Sequence, residues 1–228
     1  MLISASIMPI CNICGHDGFV PGPFGRLSRA GFAPRCARCR SLERHRAARQ
    51  ALDRIREPDL LRELNLIRFS DDPILDDSWF RTSEVSTFEG PNSLDIQAID
   101  RTDEAYDVVL CCHVIEHVPD DRKAIRELTR ILSRQGFLLL VYPRAEEGDI
   151  TEDWGFADPE KNGHYRGYGR DFDGVLADSL PGIAAIAVEA TDPVTGDGKK
   201  FAIISKSLVW TRRVLEHVPG ARMLSERA

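Results

Sequence analysis

The chain has 228 residues, of which 43% are hydrophobic and 29% are charged, and its net charge at pH 7 is −6. This length allows one substantial core, or a core of about 150 to 180 residues with a small module beside it. The apolar runs are far shorter than the roughly 18 residues that span a bilayer, and residues 1–10 are too short for a secretory signal, so we predict a cytoplasmic protein. The negative charge argues against a general nucleic-acid-binding surface.

Four cysteines near the N-terminus form two CxxC pairs separated by twenty-one residues: Cys11, Cys14, Cys36 and Cys39. Two thiolates in a tight turn can hold one ion, and two such turns complete the tetrahedral set of a structural zinc site. The cytoplasm disfavours disulfides, and redox chemistry requires only one CxxC pair. We predict a zinc ribbon over residues 1–45 that depends on its metal for much of its stability. His16 could compete as a ligand, but four thiolates already saturate the ion.

The next region is rich in arginine, with ten arginines between Val20 and Arg56 against two acidic residues. Apolar residues at helical spacing after Cys39 predict an Arg-rich helix, and we place a linking helix at residues 46–59. Its arginines have two interpretations: a solvated or salt-bridged face against the acidic remainder of the chain, or a surface for an anionic partner. Nucleic acid is not favoured as that partner, because exposed aromatic residues are not interleaved with the arginines.

Residues 60–207 have the pattern of an α/β domain. Leu64–Phe69 and Phe80–Phe88 predict its first two strands, with a turn at residues 70–73 between them. Residues 108–112 are apolar without interruption, which indicates a central parallel strand buried on both faces. Ala124 begins a set of apolar residues at helical spacing after N-cap aspartates, and Gly136 is expected to end that helix. Residues 137–141 form a further apolar strand.

A crowded loop follows the central strand and carries His113, Glu116 and His117. Ligands of open α/β sheets bind just beyond the carboxyl ends of the strands, so we predict the site at residues 112–117. Three interpretations remain open for this loop. It could bind a divalent metal with Asp120 or Asp121 as a further ligand, transfer protons through a histidine, or be packed by hydrogen bonds.

The segment from residue 144 to residue 172 is polar and carries several candidate site residues. Residues 144–162 are acidic with two embedded aromatics, which fits either a lid over the site or a solvated surface loop. Residues 163–172 read GHYRGYGRDF, which favours substrate orientation and proton removal or, alternatively, a charge-paired helix entry. The candidate side chains there are His164, Tyr165, Arg166, Tyr168 and Asp171.

The end of the chain predicts a helix over residues 171–180 and an antiparallel hairpin made of strands 182–190 and 201–205. Residues 208–228 are expected to add a helix and a tail, which could pack on the Arg-rich helix or on another chain.

Several motifs carry a resemblance to a known family. The stretch DVVLCCHVIEHVPDD…AIRELTRIL…GFLLLVYP resembles the region of the fourth and fifth strands in class I S-adenosylmethionine-dependent methyltransferases of the methyltransferase type 11 kind. NSLDIQAID resembles their adenine-binding motif, while CARCRSLERHR and GHYRGYGRDF resemble a bacterial subgroup with an N-terminal zinc ribbon. The resemblance implies a three-layer α/β/α Rossmann-like domain with a mostly parallel, seven-stranded sheet.

The resemblance also implies a set of cofactor contacts. Asp71 or Asp72 would provide an acidic contact after the first strand, and Glu84 or Glu89 the carboxylate for the ribose hydroxyls. Asp95 and Ile96 would hold adenine, with Cys112 and His113 at the end of the central strand. The chain departs from the family in one respect, because FSDDPILDD stands where the family has a glycine-rich loop.

The leading functional hypothesis is methyl transfer from S-adenosylmethionine to an oxygen or nitrogen of a small molecule. His117, His164, Tyr165 and His113 are the candidate proton acceptors. A second hypothesis keeps the fold but replaces the cofactor chemistry with another reaction on a small molecule. A third is a non-catalytic scaffold that binds a protein partner through the ribbon, the Arg-rich helix or the C-terminal helix.

Overall fold

The structure, a computed structural model, describes residues 9–143 and 148–225. Its helices are α1 (Glu43–Ile55), α2 (Pro58–Leu61), α3 (Asp121–Arg130), α4 (Phe172–Asp178) and α5 (Leu208–His217). Its strands are β1 (Phe19–Val20), β2 (Arg35–Cys36), β3 (Asn65–Arg68), β4 (Thr82–Val85), β5 (Tyr106–Cys112), β6 (Leu132–Val141), β7 (Glu152–Asp158), β8 (His164–Gly167), β9 (Ala184–Thr191), β10 (Gly198–Ser205) and β11 (Ala221–Ser225). None of the described helices is long and apolar enough to cross a bilayer.

Seven of these strands form one sheet in the order β11-β9-β10-β6-β5-β3-β4. Four strands that are neighbours in the sheet, β4, β3, β5 and β6, run parallel to one another. Strand β10 is antiparallel to both β6 and β9, and β11 is antiparallel to β9. Five of the seven strands therefore point the same way. The predicted mixed, mostly parallel sheet of seven strands is confirmed.

Both faces of the sheet are covered, because alternate residues of its central strands enter two separate cores. Val109 and Cys111 pack with α3 and α4, whereas Val108, Leu110 and Cys112 pack with α1 and α5. This alternation explains why β5 has an uninterrupted apolar sequence. The three-layer architecture predicted from the sequence is confirmed.

The predicted end of the helix after β5 is wrong. Helix α3 ends at Arg130, and Gly136 lies inside β6 instead of at the helix terminus. A Cβ atom at Gly136 would lie 2.0 Å from the carbonyl oxygen of Asp107 on the neighbouring strand, so only glycine allows the two backbones to approach this closely.

The C-terminal residues pack against α1 and extend the central sheet. Helix α5 packs beside α1, where Arg213 donates to the carbonyl oxygen of Ile55 and forms an ion pair with Glu57. Strand β11 then extends the sheet beyond β9. One of the two packing partners predicted for this segment, the Arg-rich helix, is therefore the partner observed.

Candidate functional site

The four N-terminal cysteines converge on one point, with all four sulfur atoms within 4.8 Å of one another. Cys11 Sγ lies 3.7 Å from Cys39 Sγ, and Cys14 Sγ lies 3.5 Å from Cys36 Sγ. A tetrahedral zinc ion with bonds of about 2.3 Å requires sulfur atoms roughly 3.8 Å apart, so the cluster fits the metal that the spacing predicts. No disulfide joins them.

A buried ion pair fastens the ribbon to the sheet domain. The guanidinium of Arg46 donates from Nε and Nη2 to the two carboxylate oxygens of Asp192, each at 2.7 Å, and both side chains are completely buried. Its remaining nitrogen, Nη1, donates to the carbonyl oxygens of Pro34 and Ser41 in the ribbon. One side chain of α1 thus holds the ribbon and the turn between β9 and β10 together.

The salt-bridged interpretation of the Arg-rich region is observed for two arginines of α1. Arg46 and Arg49 are paired with acidic residues, and Arg49 also lies over the ring of Trp79. Arg44 is different, because it makes no hydrogen bond or ion pair with any described residue, and its Nε is buried without a partner. It faces a cavity.

This cavity has a volume of about 930 Å³ and lies between the ribbon and the sheet. It is bounded by the carboxyl ends of β6 and β9, by the start of β10, and by His113 after β5. The sheet edge is therefore the one predicted for the site. The ribbon and α1 close the cavity from the other side with Arg26, Arg29 and Arg44.

The cavity wall is strongly basic although the chain as a whole is acidic. Glu43 and Glu189 are its acidic residues, and Glu43 is neutralised by two hydrogen bonds of 2.7 Å from Arg26. Lys200 forms an ion pair with Asp173, and Arg170 one with Asp149. The basic residues of the wall are Arg26, Arg29, Arg44, Arg170, Lys199 and Lys200.

The loop after β5 forms a histidine–carboxylate pair at the edge of this cavity. His113 adopts a left-handed backbone conformation with φ of 55°, and its Nδ1 lies 3.1 Å from Oε1 of Glu116. The Glu116 side chain is completely buried. Burial lowers the pKa of His113, while the hydrogen bond with Glu116 acts to raise it. The imidazole is consequently neutral near pH 7 and able to accept a proton.

Two further predicted histidines lie beside this pair. The rings of His117 and His164 are 4.7 Å apart in an edge-on arrangement, and burial lowers the pKa of His164. With Glu116 they form a set whose ligand atoms lie within 4.8 Å of one another. Asp120 and Asp121, the ligands expected from the sequence, are used elsewhere, since Asp120 caps α3 and Asp121 accepts from Tyr168.

The side chains of the GHYRGYGRDF segment differ in the contacts that they make. Arg166 is buried and donates to the carbonyl oxygens of Val118 and Pro119, and the Tyr168 hydroxyl donates to Asp121. These contacts fasten the β7–β8 hairpin to the loop after β5 and so place His164 against His117. Asp171 accepts from the backbone and side chain of Thr151, and Tyr165 is half-buried. Of the predicted lid, residues 144–147 lie outside the described part of the chain.

The residues assigned to the cofactor reach the same sheet edge, with one correction. The Glu84 carboxylate accepts hydrogen bonds from Asn92, Arg101 and Tyr106. Its oxygens are occupied by the protein and do not suit the two ribose hydroxyls as expected. Ile96 and Cys112 are buried, and burial raises the pKa of the Cys112 thiol well above its usual value.

The remaining groups at this edge fit the chemistry of S-adenosylmethionine. Asp71 and Asp95 are exposed carboxylates, which suit hydroxyl and amino donors. The buried Nε of Arg68, at the end of β3, is a donor without a partner, and a carboxylate could satisfy it. Asp72, the neighbour of Asp71, is instead buried and accepts from Ser70 and Ile74.

Sequence reasoning missed the individual residues of the basic wall. Lys199 and Lys200 belong to a stretch that the sequence indicates only as a turn, and Arg26 lies in the loop between the two cysteine pairs. The charge imbalance between Val20 and Arg56 was the available signal, since it raised an anionic partner as one interpretation. It did not distinguish Arg44 from Arg46.

Comparison with known proteins gives a match for one segment of the chain. Residues 84–140 match the sequence model of a family described as a methyltransferase domain. The uncharacterised methyltransferase YcgJ of Bacillus subtilis is 35% identical over 52 residues, which are 23% of this chain and 21% of that protein. The chain thus spans about a fifth of the length of the curated relative it matches.

Solved structures with a similar arrangement include two small-molecule enzymes. The 1,6-didemethyltoxoflavin-N1-methyltransferase of Burkholderia thailandensis is 13% identical, with a TM-score of 0.49 over 72% of this chain and 78% of that one. The cyclase SpnF is also 13% identical, with a TM-score of 0.43 over 66% of this chain and 61% of that one. The predicted resemblance to methyltransferases is confirmed by the match of residues 84–140 to that family model.

Proposed function

We propose that the protein transfers the methyl group of S-adenosylmethionine to an oxygen or nitrogen of a small molecule held in the basic cavity. The observation that carries this proposal is the methyltransferase-domain match over residues 84–140, which includes β5 and most of β6. The cavity opens at the carboxyl ends of these strands, where ligands of such sheets bind.

The cofactor would be held by the loops that follow β3, β4 and β5. Asp71 and Asp95 supply exposed carboxylates, the Arg68 Nε supplies a donor, and the backbone at Ile96 and His113 completes the edge. When bound there, S-adenosylmethionine supplies a methyl group on a positively charged sulfur. The loops contribute mainly by fixing the two reactants in line, which is the largest protein contribution expected for such a transfer.

His113 is the proton acceptor best supported by its surroundings. Its Nδ1 lies 3.1 Å from Oε1 of the buried Glu116, whose carboxylate stabilises the imidazolium once a proton has been accepted. The proton leaves the attacking oxygen or nitrogen of the acceptor and is taken by the other ring nitrogen of His113. Further candidates for positioning the acceptor or relaying this proton are His117, His164 and Tyr165.

The ribbon has a structural part in this proposal. Zinc bound by the four cysteines would fix the loop that carries Arg26 and Arg29. The hydrogen bonds of Arg46 with Asp192 connect the ribbon to the sheet domain. Four thiolate ligands would leave the zinc no open coordination position, so we assign it no step in the reaction.

Titration calorimetry with S-adenosylmethionine and S-adenosylhomocysteine tests the proposal. We expect saturable binding of one equivalent and an increase in melting temperature on adding either compound. Asp95→Asn should weaken binding, whereas the matched control Asp100→Asn, an exposed aspartate in the same loop, should not. Absence of binding to the wild-type protein would contradict the proposal.

A second candidate keeps the cavity and the His113–Glu116 pair but omits S-adenosylmethionine. The engagement of Glu84 by Arg101 and Tyr106, together with the loop without glycine after β3, favours it. In that case the calorimetric titration fails while ligands of the cavity still bind.

A further inference from the structure

We infer that the basic cavity recognises a compact dianionic group, a phosphate ester in the first instance, on the small molecule that the enzyme modifies. This inference deepens the proposed function by naming a substrate class for the same site. It rests on that function only in treating the anion as part of the methyl acceptor.

The first observation is the contrast between paired and unpaired cations on the cavity wall. Arg26, Lys200 and Arg170 already have carboxylate partners. Arg44 and Lys199 have neither an ion pair nor a hydrogen bond within the part of the chain that the structure describes. Arg44 and Lys199 thus add positive charge to the wall that Glu189, its one carboxylate outside the Arg26–Glu43 pair, offsets only in part, and an anionic ligand would balance the remainder.

The second observation is the burial of one guanidinium nitrogen, Nε, of the partly exposed Arg44. Its Nε is shielded from solvent and has no partner, which is uncommon for a buried donor in a folded protein. The nearby acid, Asp72, does not approach within ion-pair distance and uses its oxygens for Ser70 and Ile74. Leaving such a donor unsatisfied destabilises the free protein, so a ligand that satisfies it recovers that cost on binding.

The third observation concerns how firmly Arg44 and Lys199 are placed. Arg44 lies on α1 two residues before Arg46, and Lys199 lies on β10 near the turn that carries Asp192. The buried Arg46–Asp192 ion pair joins α1 to the turn that leads into β10. The elements that carry the two unpaired cations are thereby connected through the protein interior, which favours recognition of a fixed anionic group.

A phosphate monoester suits this arrangement. It carries almost two negative charges at pH 7.5 and has three acceptor oxygens, which match a planar guanidinium and a compact ammonium. A dicarboxylate shares the double charge but separates its two charges by a carbon chain. The two sources can therefore be distinguished by direct titration.

The test is calorimetry of the full-length, zinc-loaded protein with glycerol phosphate, and separately with succinate, at constant ionic strength so that general screening is equal. We expect saturable binding of glycerol phosphate that weakens about tenfold or more in Arg44→Gln and in Lys199→Gln. Arg212→Gln, an exposed arginine of α5 outside the cavity, is the matched control and should bind as the wild type does. Tighter binding of succinate would show that the cavity recognises a dianion, and that this dianion is a dicarboxylate instead of a phosphate ester.

A second readout separates recognition from a structural role. Because Arg44 has no partner to lose, Arg44→Gln should leave the melting temperature unchanged or raise it while binding is reduced. A lower melting temperature, no saturable anion binding, or equal weakening in Arg212→Gln would overturn the inference. S-adenosylmethionine is titrated in the same series, because binding of the cofactor without the anion refutes only this inference, and binding of the anion without the cofactor refutes only the proposed function.

Discussion

Two arginines of one helix, two residues apart, have opposite environments. Arg46 is completely buried and all of its charge is matched by Asp192 and by ribbon carbonyls. Arg44 faces the cavity with a buried Nε that has no partner. The comparison suggests how to separate structural from functional charge in this protein: the Arg46 guanidinium is fully paired within the protein, whereas Arg44 keeps a buried donor that a ligand would satisfy.

The largest expected effect comes from removing the ribbon metal. Cys36→Ser should abolish binding of one equivalent of zinc, because three thiolates leave the tetrahedral site open. Structural zinc in small modules contributes about 10 kcal/mol or more to folding, so the ribbon should unfold and its arginines should leave the cavity. Metal analysis and calorimetry with glycerol phosphate measure the two consequences.

The control for this variant is His16→Asn. His16 lies in the ribbon but outside the four-cysteine set, so the variant should retain a full equivalent of metal. Retention of zinc by Cys36→Ser would show that the cysteines are not its ligands. The interface that contains the Arg46–Asp192 ion pair would then not depend on the metal.

The next effect tests the paired side of the comparison. Asp192→Asn leaves the buried Arg46 charge without a counterion and should lower the free energy of unfolding by about 3 to 5 kcal/mol. The double variant Arg46→Met/Asp192→Leu should recover part of this loss, because it removes both charges together. Urea denaturation measures both values.

Asp178→Asn is the matched control, since Asp178 is the exposed last residue of α4. It should change the free energy of unfolding by less than about 0.5 kcal/mol. A cost below about 1 kcal/mol for Asp192→Asn would mean that the ion pair is not what completes the interface.

A third prediction concerns the histidine–carboxylate pair on the cavity edge. Burial lowers the pKa of His113 and Glu116 acts against that effect, so Glu116→Gln should lower the pKa of His113 further. Titration of the imidazole protons by NMR measures the change, with the exposed His217 as the internal reference. An unchanged or higher pKa of His113 would show that the carboxylate does not support this base.

The fold was largely predictable because its strongest signals are local. The apolar runs of β5 and β6 gave the buried strands, and the cysteine spacing gave the cluster. The exception at Gly136 depends on the approach of the Asp107 carbonyl from a neighbouring strand, which no local pattern reveals. Helical spacing of the preceding apolar residues therefore extended the predicted helix beyond Arg130.

The site was predictable in location but less so in its members. His113, His117 and His164 meet at the expected sheet edge, yet Glu84 is engaged by Arg101 and Tyr106, which only the fold brings to it. Arg44 and Arg46 have the same sequence context, and what separates them is Asp192, 146 residues further along the chain. Such pairings depend on tertiary structure, and a single sequence does not contain them in readable form.

The smallest effect is a pH dependence that links the two arginines through the residue between them. His45 is buried, and its Nδ1 accepts from the backbone amide of Leu42 at the start of α1. Burial and then the charge of Arg44 lower the pKa of His45 well below 6.5. The unfolded chain therefore takes up a proton below pH 6.5 that the folded protein resists, and stability should be lost as the pH falls from 6.5 towards the folded pKa.

The slope from this one group is at most about 1.4 kcal/mol for each pH unit in that window, and His113 and His164 add to it with the same sign. Urea denaturation between pH 7 and pH 5.5 measures the loss, which should be smaller in His45→Gln because the amide oxygen still accepts from Leu42 but does not titrate. His217→Gln should show the full wild-type loss. Glycerol phosphate bound in the cavity should reduce this loss of stability in the wild type if its negative charge screens His45 from the charge of Arg44.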